Sequence, residues 1–198
     1  MFNIIKNFAV QKVPLLLPTM PIKPKPILVL DQDDVIVDTY GKMAQIIVRD
    51  FDTDFSLEDF YARAFNDLLT AEHKERIYQE LHKPGFFADI PAKEGAVEAV
   101  KLLAAKYDVY VATAAMEFPN SFREKYDWLQ TNLPFVPYQN LIFCGHKSIL
   151  RADVIVDDMP RNFAGQESAR CLLFNAPHNY AETRYERVNN WAQILEKL

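Results

Sequence analysis

Residues 27–40 read ILVLDQDDVIVDTY, a β-branched and leucine run that stops abruptly at Asp31, Asp33 and Asp34, with Asp38 close behind. A buried strand has no use for carboxylates, since each ionised group taken out of water costs several kcal/mol unless something positive compensates it. A hard divalent cation such as Mg2+ is the simplest compensation, because it prefers carboxylate and carbonyl oxygens. In an extended chain Asp31 and Asp33 share a side while Gln32 points away. Two carboxylates placed in this way suit a nucleophile and a proton shuttle. Aspartates after a strand also cap helices and form turns, so the segment alone leaves both readings open.

The same pattern recurs at residues 154–158, VIVDD, where Asp157 and Asp158 close a second apolar strand. A third strand, YDVYVAT, ends at Thr113, whose hydroxyl and following backbone N–H groups suit phosphate oxygens. Lys147, in CGHK, adds a positive charge able to bridge a carboxylate and a phosphoryl oxygen.

The elements that must bring these residues together follow from periodicity. Residues 40–50 predict a helix with Met43, Ile46 and Ile47 on one face, and two more polar-faced helical stretches follow. Ser56 with Asp59 forms a capping arrangement, Thr70 caps AEHKERIYQEL, and Pro84 and Gly85 break the pattern. The stretch 93–106 and the segment from Pro119 to Gln130 predict further helices, and strands are expected at 141–144, 153–158 and 171–174. Strands and helices alternate, which predicts an α/β fold with a Rossmann-like three-layer parallel sheet and a small inserted helical cap. The expected organisation is an N-terminal extension over 1–26, a core over 27–39 and 89–198, and a helical cap over 40–88. Asp31, Thr113, Asp157 and Asp158 all fall where a strand stops, the place where open α/β sheets bind ligands.

With 198 residues, 49% hydrophobic, the chain can bury a sizeable core. A net charge of -5 and a pI near 5.4 exclude the electrostatic footprint of a nucleic-acid polymer or an anionic membrane partner. No run reaches the 18 or so apolar residues that span a bilayer. Cys144 and Cys171 make no metal-ligand spacing, so buried reduced thiols and a cytoplasmic location are expected. The VPLLLP stretch is broken by prolines and lacks a small-residue cleavage site, which argues against a secretory signal, and the composition break at Met20 marks residues 1–19 as dispensable.

The order D-x-D-x-V, strand-terminal Thr, Lys and terminal D-D resembles the haloacid dehalogenase superfamily of phosphatases. That resemblance implies an aspartyl-phosphate mechanism in which Asp31 attacks phosphorus and Asp33 handles the proton. It implies Mg2+ held by Asp31, the Asp33 carbonyl and Asp158, with Asp157 second to them. Thr113 would bind the phosphoryl group and Lys147 would orient Asp31. The segments KPGFFADI, EGAVEAVK, VYVATA, REKYDWL, ADVIVDD and NNWAQIL extend the likeness over residues 27–197 to the 5'(3')-deoxyribonucleotidases. This narrower resemblance implies a deoxynucleoside monophosphate substrate under the cap, with Tyr40, Phe86 and Ala114 toward it.

The chain departs from that family at Asp34, usually Gly; at Thr39, usually an aromatic; and at Ala114, Glu117 and Gly145, where the family has Ser, Lys and Arg. These substitutions keep the chemistry and alter recognition. The same chemistry on another small phosphate ester, a phospho-accepting receiver domain and a non-catalytic relative are the alternatives. Receivers place their phosphorylated Asp on a later strand and lack an inserted cap. A homodimer is also compatible with the sequence. Asp34, Asp38, His146 and the paired Phe86 and Phe87 have plainer readings as loop, surface or core residues, and His73, His82 and His178 form no metal spacing.

Overall fold

The computed structural model describes residues 24–198. The start proposed at Met20 and all but the last three residues of the expected N-terminal extension lie outside the described residues. Six parallel strands form one sheet: β1 (Ile27–Leu30), β2 (Asp108–Thr113), β3 (Leu141–Phe143), β4 (Val154–Asp157), β5 (Arg170–Phe174) and β6 (Glu186–Val188), in the order β3-β2-β1-β4-β5-β6. Period-2 alternation buries both faces. Leu28, Leu30, Val109, Val111, Val154, Val156, Leu172 and Phe174 enter one core, while Val29, Ala112, Ile155 and Leu173 enter a smaller one on the other side.

The larger core is covered by α5 (Ala96–Lys106), α6 (Ser121–Asn132) and α7 (Trp191–Lys197). The labels α1–α4 belong to the helices Thr39–Asp50, Leu57–Ala62, Phe65–Leu68 and Ala71–Leu81, which leave the sheet after β1. The expected start of α5 at residue 93 moves to Ala96, because Gly95 takes a left-handed φ of 73° as its N-cap. Ser56 and Asp59 cap α2 reciprocally, and the Thr70 hydroxyl accepts from His73 N, as their spacing predicted. Strand β6 and helix α7 were not expected from the periodicity, being only three and seven residues long.

The helices α1–α4 carry a small core of their own, including Ala44, Ile47, Phe51, Phe60 and Ile77. They join the sheet through a two-chain neck. Asp38 N donates to Pro91 O at 2.9 Å and Lys93 N to Ile36 O at 2.8 Å, so the chain leaving β1 runs beside the chain returning to α5. Two buried indoles fasten this neck: Trp191 Nε1 donates to Val35 O at 2.9 Å and Trp128 Nε1 to Ile90 O at 2.8 Å. Among the described residues no helix is long and apolar enough to cross a membrane. Cys144 and Cys171 are free and half-buried, less enclosed than the composition led one to expect.

Candidate active site

The central strands β1, β2 and β4 end side by side, and the candidate residues stand at their carboxyl ends. Asp31 follows β1 directly, its N–H still in the ladder to Val156 O at 3.0 Å. Its Oδ1 accepts from Gln32 N at 2.7 Å and lies 2.7 Å from Lys147 Nζ. Among the described residues nothing donates to Oδ2, which leaves both lone pairs of that oxygen available. Lys147 is buried between Asp31 and Asp157, 2.7 Å from each. Burial works against its charge, but the two carboxylates more than offset this and keep it protonated.

Asp157 is saturated. Its oxygens take Lys147 Nζ at 2.7 Å, Met159 N at 2.8 Å and Asn162 Nδ2 at 2.9 and 3.1 Å, which uses the four acceptor positions of a carboxylate. Asp158 is freer, with His178 Nε2 2.8 Å from its Oδ2. Burial opposes a charge on His178, yet Asp158 and, more weakly, Asp34 raise its pKa above the usual histidine value.

One oxygen from each of Asp31, Asp157 and Asp158 lies within 4.8 Å of the other two. Burial first, then Asp157, Asp158 and Asp33, push the Asp31 carboxyl well above the ordinary range against the pull of Lys147. A cluster of buried carboxylates with one lysine among them is short of positive charge, and an oxygen-loving divalent cation fits that deficit.

Asp33 sits on the same side as Asp31 and is held at both oxygens. Thr39 Oγ1 donates to Oδ1 at 2.8 Å, and Oδ2 takes Thr113 Oγ1 at 3.3 Å together with the ammonium of Lys125. Burial alone would lift this carboxyl, but Lys125 and then the Thr39 hydroxyl bring it below its usual value. Lys125 also donates to Thr113 Oγ1 at 2.9 Å and stands over the Phe87 ring. The sequence motifs give this lysine no role, although it stands in the REKYDWL segment. The available signal was its spacing from Ser121, Trp128 and Leu129 on α6, which puts a charged residue on the buried stripe.

Asp31, Asp33, Lys125 and Asp158 open into a cavity of about 390 Å3 between the strand ends and α1, α3 and α4, whereas Thr113, Asp157 and Lys147 do not line it. Tyr40 lines it, stacked on Phe65 at 3.9 Å with its hydroxyl donating to Arg63 O, and Ala114 lines it from the loop after β2. Phe86 does not line it. That ring turns into the core at 6% exposure, under Lys42, and the neighbouring Phe87 takes the wall position, which corrects the expectation for Phe86. Glu124 on α6 sets this turn by accepting from Gly85 N at 2.5 Å and Phe87 N at 2.9 Å. Asp34 and Asp38 serve local geometry: Asp34 Oδ1 accepts from Tyr40 N at 2.7 Å, and Asp38 pairs with Lys93 at 2.9 Å. His178 also lines the cavity, although no motif contained it.

Over residues 25–198 the chain matches the family described as 5' nucleotidase, deoxy (pyrimidine), cytosolic type C protein. It is 33% identical over 180 residues to the 5'(3')-deoxyribonucleotidase of Bacillus subtilis (strain 168), covering 88% of this chain and 99% of that one. A Staphylococcus epidermidis (strain RP62A) protein provisionally named 5'(3')-deoxyribonucleotidase is 36% identical over 165 residues, covering 83% and 91%. Among solved structures, a haloacid dehalogenase family hydrolase of Deinococcus radiodurans R1 with bound phosphate and sodium aligns at TM-score 0.57 and 17% identity over 86% of this chain and 93% of that one. A Bacillus subtilis protein provisionally assigned as a haloacid dehalogenase hydrolase, solved with magnesium, aligns at TM-score 0.53 and 13% identity over 89% and 99%. At these identities the structural likeness is one of fold, and that fold is haloacid dehalogenase-like.

Proposed function

The chain belongs to the family of deoxy (pyrimidine) cytosolic type C 5' nucleotidases, and from that membership we propose that it hydrolyses deoxynucleoside monophosphates to nucleoside and phosphate. The observation that carries the reading is Asp31, one oxygen pinned by Lys147 and the Gln32 N–H and the other unclaimed, at the floor of the cavity. A carboxylate nucleophile splits one hard displacement into two easier ones.

In this mechanism the bound ester monoanion first passes its proton to the ionised Asp33. Asp31 Oδ2 then attacks phosphorus as the ester P–O bond breaks, and Asp33 gives the departing oxygen that proton. Water adds to the aspartyl phosphate, its proton passes through Asp33 to the phosphate released, and the bond from phosphorus to Oδ2 breaks, so both aspartates return to their starting carboxylate states. Thr113 and the N–H groups after it hold phosphoryl oxygens, while Lys147 keeps Asp31 oriented and offsets developing charge. Lys125 acts through Asp33 and Thr113 as a positioning residue.

The Asp31 and Asp158 side chains and the Asp33 carbonyl are the groups we assign to Mg2+. Asp157, its acceptor positions filled, holds Lys147 in place. Mg2+, when bound, supplies the neutralisation that lets an anionic ester approach a carboxylate. We assign residues 40–88 as a cap that excludes water and contacts the leaving group, in support of which they carry a core of their own and a narrow neck. The free, half-buried thiols are compatible with action in the cytoplasm.

Glu117 lining the cavity, where the resembled family carries Lys, favours a second reading, the same chemistry on another small phosphate ester, because a changed recognition position alters which ester is selected. Phosphate release from a panel of monophosphates with Mg2+ separates the two. A preference for deoxynucleotides is expected; equal or greater turnover of sugar phosphates would favour the second reading, and no release from any ester would refute both.

A further inference from the structure

A second cavity, of about 450 Å3, adjoins the first and shares Ala114, Glu117, Arg161 and Asn162 with it. Gly145 opens this space: a Cβ built there would meet only Met116 atoms, at 3.7 and 3.8 Å. The two lysines at these walls are committed, Lys147 to Asp31 and Asp157 and Lys125 to Asp33. Among the described residues that line either cavity, Arg161 is the one lysine or arginine with no carboxylate partner.

Its backbone is not loose. Arg161 rides on the 3-10 turn Pro160–Phe163, and Asp157 fastens both sides of it through Met159 N at 2.8 Å and Asn162 Nδ2 at 2.9 Å. Phe163 is buried at 4% exposure and packs on Tyr185, anchoring the far end. The carboxylate that orients Lys147 therefore also fixes the backbone from which the exposed Arg161 side chain reaches the seam of the two cavities.

We propose that Arg161 is an anion-binding, specificity-determining residue that takes a phosphoryl oxygen of the substrate from this seam. Planar guanidinium matches a tetrahedral oxyanion through two parallel N–H donors, which a lysine ammonium does not. Glu117 lines the same seam and opposes it, so the pair favours one phosphoryl group and disfavours additional negative charge. This assignment rests on the phosphomonoesterase reading above.

The test uses the full chain with Mg2+ and three variants, Arg161→Ala, Arg161→Lys and Glu117→Gln. Steady-state hydrolysis of a deoxynucleoside monophosphate is measured alongside calorimetric binding of inorganic phosphate. Losing a charge-assisted pair should raise KM and the phosphate Kd about tenfold in Arg161→Ala, with kcat falling by less than about threefold. Arg161→Lys should fall between, and Glu117→Gln should tighten phosphate about threefold. The rise of the parent KM with salt should flatten in Arg161→Ala, a readout that a purely structural role would not move. Phosphate Kd within twofold of the parent in a folded Arg161→Ala, or a kcat loss at constant KM, overturns the assignment while leaving the esterase reading intact. Parent protein that binds phosphate but releases none from any ester would instead sink the esterase reading, and the Kd comparison would still decide Arg161.

Discussion

Asp34 offers the sharpest perturbation, because the structure separates its geometric role from its charge. It holds a left-handed backbone at φ 56° and accepts from Tyr40 N at 2.7 Å, while burial, joined by repulsion from Asp158, lifts its carboxyl from 3.8 to about 7. Asparagine tolerates that backbone and retains an Oδ1 acceptor, so Asp34→Asn removes the charge and keeps the turn. Between 3.8 and about 7 the folded chain binds a proton that the unfolded chain does not, so stability falls as pH rises through this window and levels off above it. At about 1.4 kcal/mol per tenfold change in proton affinity, the full penalty is about 4 kcal/mol, of which about 2–3 kcal/mol accrues between pH 5 and pH 8. The variant should therefore gain on the parent by roughly 4–12 °C more in Tm at pH 8 than at pH 5. Thermal unfolding with a chelator present measures it, and added Mg2+ should narrow the gap by stabilising the ionised parent. An equal gain at both pH values, or a variant less stable at pH 8, would show that the Asp34 charge is not buried uncompensated.

Asp31→Asn should lower hydrolysis by about a thousandfold or more with an unchanged circular dichroism spectrum, and a loss of only tenfold in a pure sample would remove Asp31 as nucleophile. Lys125→Met takes from Asp33 the cation that holds its carboxyl below the usual value. The acidic limb of its kcat/KM profile should move to higher pH and kcat should fall roughly 10- to 100-fold; an unmoved limb would uncouple Asp33 from the rate. Asp158→Asn should raise the Mg2+ concentration needed for half activity about tenfold or more, whereas an unchanged requirement would give the ligand role to Asp157. Glu124→Ala strips the acceptors from Gly85 N and Phe87 N and should cost about 1–3 kcal/mol in chemical denaturation, with an unchanged midpoint counting against the turn's dependence on it.

What was legible in the chain had a local signature. Strands β1 and β4 announce themselves by apolar runs that end in acids, and Ser56 with Asp59 by the reciprocal cap, because in each case the relevant physics acts within a few residues. What was not legible depends on separation. Asp33 meets Lys125 across 92 positions, and His178 meets Asp158 only after β5 has crossed the sheet. Phe86 and Phe87 are chemically identical, and which one faces the cavity is decided by Glu124 gripping the turn from another helix. Lys125 stood in plain view as a charge on an apolar stripe, but a hydrophobic reading of α6 passes over it.

A single imbalance underlies these features. Asp31, Asp33, Asp34, Asp157 and Asp158 crowd the ends of two neighbouring strands and the loop after β1, against Lys147, Lys125, the more distant Lys93 and the imidazole of His178. The lysines are distributed unevenly: Lys125 satisfies Asp33, which stays ionised, while Lys147 is divided between Asp31 and Asp157, and both of those carboxyls are raised. The charge left uncompensated is therefore centred on Asp31, which faces the cavity beside Asp158. A doubly charged cation placed there relieves Asp31, Asp34 and Asp158 together, which no monovalent side chain at one position could do. The strain that destabilises the metal-free fold and the pull that would draw Mg2+ into it are the same electrostatic deficit, and substitutions that ease the first should weaken the second.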